Sequence, residues 1–229
     1  MNTNWREFWD NKALASNDFQ ATGRGLMDPL GFLYTIEEIV KLLNLQQGES
    51  LADIGCGSGL VALSLAPWLK EINGIDISPA LILRAKANLL GISNINFNVG
   101  DFTDLPLESA STDKLLAYSV LQYLSGRENV LAAFKQIKRV LRDGGKALLA
   151  ANPDPLKRLT YEEVVRKNQD KNAADREISL CDDLLWISKE EFFDLANEVG
   201  LTAKIEPINP RIWQHFYMFN LVLTKQKEC

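Results

Sequence analysis

Between residues 51 and 60 the chain reads LADIGCGSGL, which places Asp53 two residues before Gly55 and spaces Gly55, Gly57 and Gly59 as G-x-G-x-G around Cys56. Glycines this close together permit positive φ and let bare backbone approach a ligand, and the helix-compatible LVALSLA that follows presents a positive helix terminus. The stretch reads as a ligand cradle. A phosphate-binding loop would close on G-K-[ST], whereas this one closes on Gly59-Leu60; a dinucleotide fingerprint would need its last glycine where Leu60 stands. A carboxylate beside the cradle suits an ammonium or sulfonium group better than a pyrophosphate. Two further acids, Asp76 in GIDIS and Asp101 in VGDFTDLP, each follow an apolar run. Either could cap a turn, and their joint placement favours ligand binding.

These residues need a scaffold that brings strand ends together. Short apolar runs alternate with helical patterns from about residue 35 to 150, the mark of a parallel sheet covered on both faces. The expected strands are 50–54, 71–76, 95–99, 113–119 and 145–151. Capping boxes at Thr35/Glu38, Ser125/Glu128 and Ser188/Glu191 mark helix starts, as does Ser78-Pro79, with Gly91 a plausible stop for that helix. Val130, Leu131, Phe134, Ile137 and Leu141 follow helical spacing, and Gly144-Gly145 is expected to end their helix. Two segments break the alternation: an aromatic, glycine-rich amino terminus, and a charged stretch opening with PDP at 153–155. Both read as additions beside a binding crevice. Leu201 to Thr224 reads as two more strands.

The bulk numbers bound the chemistry. At 229 residues the chain fits one domain, with a net charge of −5 and scattered lysines and arginines that leave no footprint for nucleic acid or an anionic membrane. Cys56, Cys181 and Cys229 are far apart and odd in number, which speaks against a disulfide framework or a cysteine zinc site. The amino terminus shows neither a signal peptide nor a membrane span. A cytoplasmic location and a small-molecule partner are expected.

Over roughly residues 35 to 224 the sequence resembles the class I S-adenosylmethionine-dependent methyltransferases. The resemblance implies an α/β, doubly wound, seven-stranded and mostly parallel sheet with an antiparallel final strand, here with an amino-terminal helical lid. It implies that Asp53, Gly55, Cys56, Gly57 and Gly59 hold the methionine part of S-adenosylmethionine, and that Asp76, with Ile77 beside it, takes the ribose hydroxyls. Asp101 and Phe102 would serve the adenine, and Tyr118, Ser119 and Gln122 in AYSVLQYL would border the methyl group and the acceptor. Many relatives carry histidine where Gln122 stands. IKRVLRDGGKALLA completes the set as the late helix, turn and fifth strand. The expected organisation is one domain over 1–229: a lid at 1–34, the cofactor core at 35–152, an insertion at 153–187 and a carboxyl-terminal helix and strands at 188–229.

Methyl transfer is an in-line displacement that leaves S-adenosylhomocysteine, and alignment in a dry site is the protein's contribution. Trp5, Phe8 and Trp9 could close over the cofactor, although an aromatic stripe at helical spacing more often packs as core. Arg24 could pair with the cofactor carboxylate or lie on the surface. His215, the only histidine, would suit a base for an oxygen acceptor, which makes oxygen the expected acceptor ahead of nitrogen; filling a strand end is its other reading. Tyr118 is the second catalytic candidate, and Tyr123, Asn152, Trp186 and Tyr217 are further candidates for the acceptor pocket. No metal is expected, because Tyr118 and Ser119 stand where magnesium-using relatives place acids. Two rivals stay open: an NAD-dependent oxidoreductase, disfavoured by Leu60 and Asp53, and a cofactor-binding scaffold without catalysis.

Overall fold

The run Ser50–Ile54 forms strand β1 with every residue buried, as a strand covered on both faces must be. The computed structural model describes residues 3–23 and 29–227. Strands β2 (Glu71–Asp76) and β3 (Ile95–Val99) also keep their expected bounds. Strand β4 runs Thr112–Tyr118 and stops a residue early, because Ser119 turns to φ +59°. Strand β5 is longer than expected at Leu141–Pro153, since Leu141 already pairs with Thr112. With β6 (Thr202–Pro207) and β7 (Met218–Thr224) the sheet has seven strands in the order β3-β2-β1-β4-β5-β7-β6. The pairs from β3 to β5 are parallel, and β7 runs antiparallel to both β5 and β6. The expected doubly wound sheet is the one observed.

Helices cover both faces. On one side α6 (Gly126–Val140) and α9 (Lys189–Val199) bury Phe134, Ile137, Phe192 and Leu195 against Leu115, Leu149 and Leu221. On the other, α3 (Pro29–Leu43), α4 (Leu60–Leu65) and α5 (Pro79–Ala87) bury Ile39, Leu43, Leu65 and Ile82 against Leu51, Ile72 and Leu116. Full burial of such a side chain stabilises by ~1.5–3 kcal/mol, so both faces contribute to one cooperative sheet.

The helix signals divide. Ser188 and Glu191 form the reciprocal box, and Ser78 Oγ accepts from Leu81 N at 3.1 Å ahead of Pro79. Ser125 is at the N-cap position of α6 but makes no side-chain cap bond. Thr35 is no start at all: it lies inside α3 and donates its hydroxyl to Gly31 O at 2.9 Å, while Glu38 leaves the helix to accept from Asn209 N and Asn220 Nδ2. Helix α6 ends at Val140, ahead of Gly144-Gly145, and α5 ends at Ala87, ahead of Gly91. The charged insertion folds as α7 (Arg158–Asn168) and α8 (Lys171–Cys181), whose small core gathers Tyr161, Val165, Ala174, Cys181 and Tyr217. No helix among the described residues is long and apolar enough to cross a membrane.

The amino terminus carries α1 (Trp5–Lys12) and the single turn α2 (Asp18–Ala21), both docked on α5. Asp10 Oδ1 accepts from Ser78 Oγ and Ala80 N at the start of α5. Arg84 donates to Asp18 at 2.6 Å and to the carbonyls of Ala13 and Ala15 at 2.9 and 2.7 Å. Burial raises the Asp18 carboxyl, but the bonds from Arg84 at 2.6 Å and Asn88 at 3.3 Å, with the charge of Arg84, outweigh it and hold the group below 3.8. A depressed acid stabilises above its unfolded value and loses that contribution as pH falls through the folded one, so this attachment weakens below about pH 3.8. Hydrogen bonds to charged groups contribute ~1.5–3 kcal/mol when buried, and partial exposure brings this set to ~1–2. Arg84→Ala is therefore expected to speed amide exchange in α1 about tenfold while leaving β1 unchanged, as hydrogen-exchange mass spectrometry would read.

Candidate active site

The winding reverses between β1 and β4, so a crevice opens where their carboxyl ends part. A cavity follows that edge. From β1 come Ile54, Gly55 and Gly57; from β2 and its sequel, Ile75, Asp76 and Ile77; from the end of β3, Gly100, Asp101 and Phe102; from the end of β4, Tyr118, Ser119, Val120 and Tyr123. The amino-terminal segment closes it with Trp5, Trp9, Thr22 and Gly23, and Gln214 also lines it.

The cradle is held by its backbone. Gly55 N and Cys56 N both donate to Ile75 O, at 2.7 and 3.1 Å, and Gly55 and Gly57 take φ +69° and +57°. A Cβ on Gly55 would stand 2.3 Å from Val120 Cγ2, and one on Gly57 would stand 2.6 Å from Thr22 Cγ2. Only glycine fits between the strand end and what covers it. Gly59 differs: it is the N-cap of α4, its absent side chain makes room for Phe97, and it does not line the cavity. Cys56, also expected at the cofactor, is buried in the opposite core, where burial first, then Asp53 and Asp76, push its thiol well up. Asp53 is 2% exposed in β1 and outside the lining.

Asp76 is the pivot of the site. Its Oδ2 accepts from Gly57 N at 2.8 Å and its Oδ1 from Ser78 N at 2.9 Å, so one carboxylate ties the cradle to the start of α5 while lining the cavity. Burial raises its pKa, the N–H groups of Ser78 and Gly57 pull it down, Asp10 adds to the rise, and the net is upward. Asp101 is exposed, and its Oδ1 accepts from Thr103 N and Thr103 Oγ1, both at 2.7 Å. Each carboxylate keeps lone pairs for a ligand donor.

At the other end, Ser119 holds its left-handed backbone and accepts from Gln122 Nε2 at 2.6 Å. A non-glycine residue at positive φ costs ~1–3 kcal/mol, and such strain collects at functional sites. Gln122 stands behind Ser119, 3% exposed and outside the lining. Trp5 and Trp9 meet Tyr123 edge to face, with centroids 4.8 and 5.4 Å apart, so these aromatics both pack and face the cavity. Phe8 joins their cluster from outside the lining.

His215 is not brought to the cavity. It is exposed on the 3-10 turn Trp213–Phe216, with Nδ1 2.9 Å from Ile212 O, and the last strand begins only at Met218. One position earlier, Gln214 lines the cavity, and its Oε1 is buried with no hydrogen-bond partner. Periodicity gave no signal for Gln214, because a one-turn 3-10 element has none. Asn152 is spent on Leu149 O and Phe219 O, while Trp186 donates to Cys181 O and Tyr217 packs in the insertion's core. Arg24 lies outside the described residues. No group of three or more metal-binding side chains gathers among the described residues.

Residues 52–149 match the family model described as a methyltransferase domain. An O-methyltransferase of Pyrenophora dematioidea is 32% identical over 117 residues, covering 49% of this chain and 43% of that protein. The chain spans less than half the length of the curated relatives it matches. Among solved structures, the complex between the Haloferax volcanii Trm112 methyltransferase activator and a methyltransferase gives a TM-score of 0.73 at 20% identity, covering 95% of this chain and 97% of that one. An S-adenosyl-L-methionine-dependent methyltransferase structure from Methanococcus maripaludis gives 0.67 at 22% identity, covering 100% and 99%.

Proposed function

We propose, for a chain that carries a class I methyltransferase domain, that it binds S-adenosylmethionine in this cavity and transfers the methyl group to a small-molecule acceptor. The observation that carries the reading is the lining itself: the charged side chains are the carboxylates of Asp76 and Asp101, and no lysine, arginine or histidine joins them among the described residues. Such a site repels a diphosphate and accepts a cationic nucleoside, which disfavours the dinucleotide rival. Gly55 and Gly57 bring bare backbone to the same lining, as the close approach of such a ligand requires.

S-adenosylmethionine supplies a methyl group already activated by a positive sulfur. The chain's own residues do the positioning. Asp76 accepts from the ribose hydroxyls, Asp101 from the adenine amine, Ile77 and Phe102 flank the base, and the cradle backbone holds the amino-acid part. Tyr118 and Ser119 face the reacting end. The amino-terminal segment acts as a lid: Trp5, Trp9 and Thr22 cover the cavity and exclude water, so charge transfer at the sulfur is not screened. The preference for an oxygen acceptor rested on His215, and an exposed imidazole lends it no support.

Incubation with S-adenosylmethionine and a metabolite mixture is expected to release S-adenosylhomocysteine, read by mass spectrometry. Binding without release from any acceptor class would favour the scaffold reading instead. In the same assay His215→Ala is expected to keep the rate within about twofold of the parent, because a side chain outside the cavity holds no proton of the reaction.

A further inference from the structure

Resting on the methyltransferase reading, we infer that the acceptor is an amine on an apolar body, selected by Gln214 and the aromatic walls, and that alcohols and anions are not the substrate class. Besides Asp76 and Asp101, the lining includes Trp5, Trp9, Tyr123, Leu124 and Gln214. Aromatic faces attract a positive or N–H-bearing group. Gln214 Oε1 is buried with no hydrogen-bond partner. A buried amide oxygen is unfavourable until a donor reaches it. The site thus holds a hydrogen-bond acceptor, Gln214 Oε1, that awaits a donor.

The three acceptor classes fare differently. A carboxylate or phosphate would meet no cationic side chain among the described lining residues. An alcohol, the weaker nucleophile, would need a base at its oxygen; the imidazole of His215 is outside, and the phenols of Tyr118 and Tyr123 in the lining are poor bases. An amine needs no cation to hold it and no base fixed in the cavity: the ammonium that prevails in water gives one proton to solvent as it enters, the lone pair so freed is the nucleophile, and an N–H donated to Gln214 Oε1 fixes the direction of that pair. As the nitrogen–carbon bond forms, the carbon–sulfur bond breaks with both electrons going to sulfur, leaving a thioether. The positive charge passes to nitrogen, and the methylated ammonium then releases one proton to water. Aromatic walls favour that charge as it develops.

Titration calorimetry on the protein saturated with S-adenosylhomocysteine separates the classes through a matched set: phenethylamine, phenethyl alcohol and phenylacetate. Phenethylamine is expected to bind at least about tenfold more tightly than the alcohol, with no heat from phenylacetate. Gln214→Leu is expected to weaken phenethylamine about tenfold while keeping S-adenosylhomocysteine affinity within about twofold, which also reports that the variant is folded; Gln214→Glu is expected to strengthen it. The inference is overturned if the alcohol or phenylacetate matches the amine, if none of the three binds, or if Gln214→Leu changes nothing. Failure of S-adenosylhomocysteine itself to bind is a separate result, and it removes the methyltransferase reading along with the inference.

Discussion

Asp76→Asn is expected to weaken S-adenosylhomocysteine binding about a hundredfold and to cost the fold ~1–3 kcal/mol. The carboxylate accepts from Gly57 N and Ser78 N with different oxygens, leaving further lone pairs facing the cavity. An amide replaces one of those acceptors by a donor. Whichever way the amide turns, an NH2 then faces a buried backbone N–H, and an unmet buried donor costs ~1–3 kcal/mol. The ribose loses its charged acceptor as well, and two weakened charge-assisted bonds at about 1.4 kcal/mol each give the hundredfold. Calorimetry reads the affinity and denaturant unfolding the stability. The folded pKa of Asp76 lies above 3.8, and its protonated form can no longer accept twice. Parent affinity should therefore fall as pH drops through that raised value, and the asparagine variant should lose most of the dependence. A variant within threefold of the parent would show that Asp76 serves only the loop.

Gly55→Ala is expected to cost ~2–5 kcal/mol of stability and to abolish detectable cofactor binding. At φ +69° an alanine pays ~1–2 kcal/mol for its left-handed backbone. Its Cβ would also sit 2.3 Å from a methyl of Val120, and relieving such overpacking costs ~1–3 kcal/mol more. The movement that relieves it displaces either the cradle or the segment after β4, which carries Ser119 and Tyr123. Gly91→Ala is the control: its φ is +88° and nothing lies within 4 Å of its Cβ, so only the backbone share should appear in thermal unfolding.

Strands β1, β2 and β3 were legible in the sequence as short, apolar or alternating runs, each bounded at its carboxyl end by a glycine or an acid: Gly55, Asp76 and Gly100. That is why β1, β2 and β3 keep their expected bounds, and why Asp76 and Asp101 fall on the cavity edge. Local hydroxyl signals were less reliable. Thr35 looks like a cap, but its hydroxyl bonds back to Gly31 within a helix already under way, and only Glu38's contact with the last strand's approach explains its acid. Helices α7 and α8 were hidden because a charged stretch with few apolar positions shows its buried face only once Tyr217 and Trp213 cover it. Tertiary folding also decided between His215 and Gln214. A one-residue step around a 3-10 turn sends one side chain to solvent and the other to the cavity, and no sequence period of that length exists to be read. Trp5 and Trp9 were ambiguous for a different reason: packing and lining are the same position when the lid's own core is one wall of the site.

The most direct test of a cavity whose described charged lining is two carboxylates is a paired titration of the parent protein with S-adenosylhomocysteine and with NAD. The nucleoside thioether is expected to bind at one site, at least about a hundredfold more tightly than the dinucleotide. NAD binding of equal or greater strength, or displacement of the thioether by a diphosphate, would contradict the account.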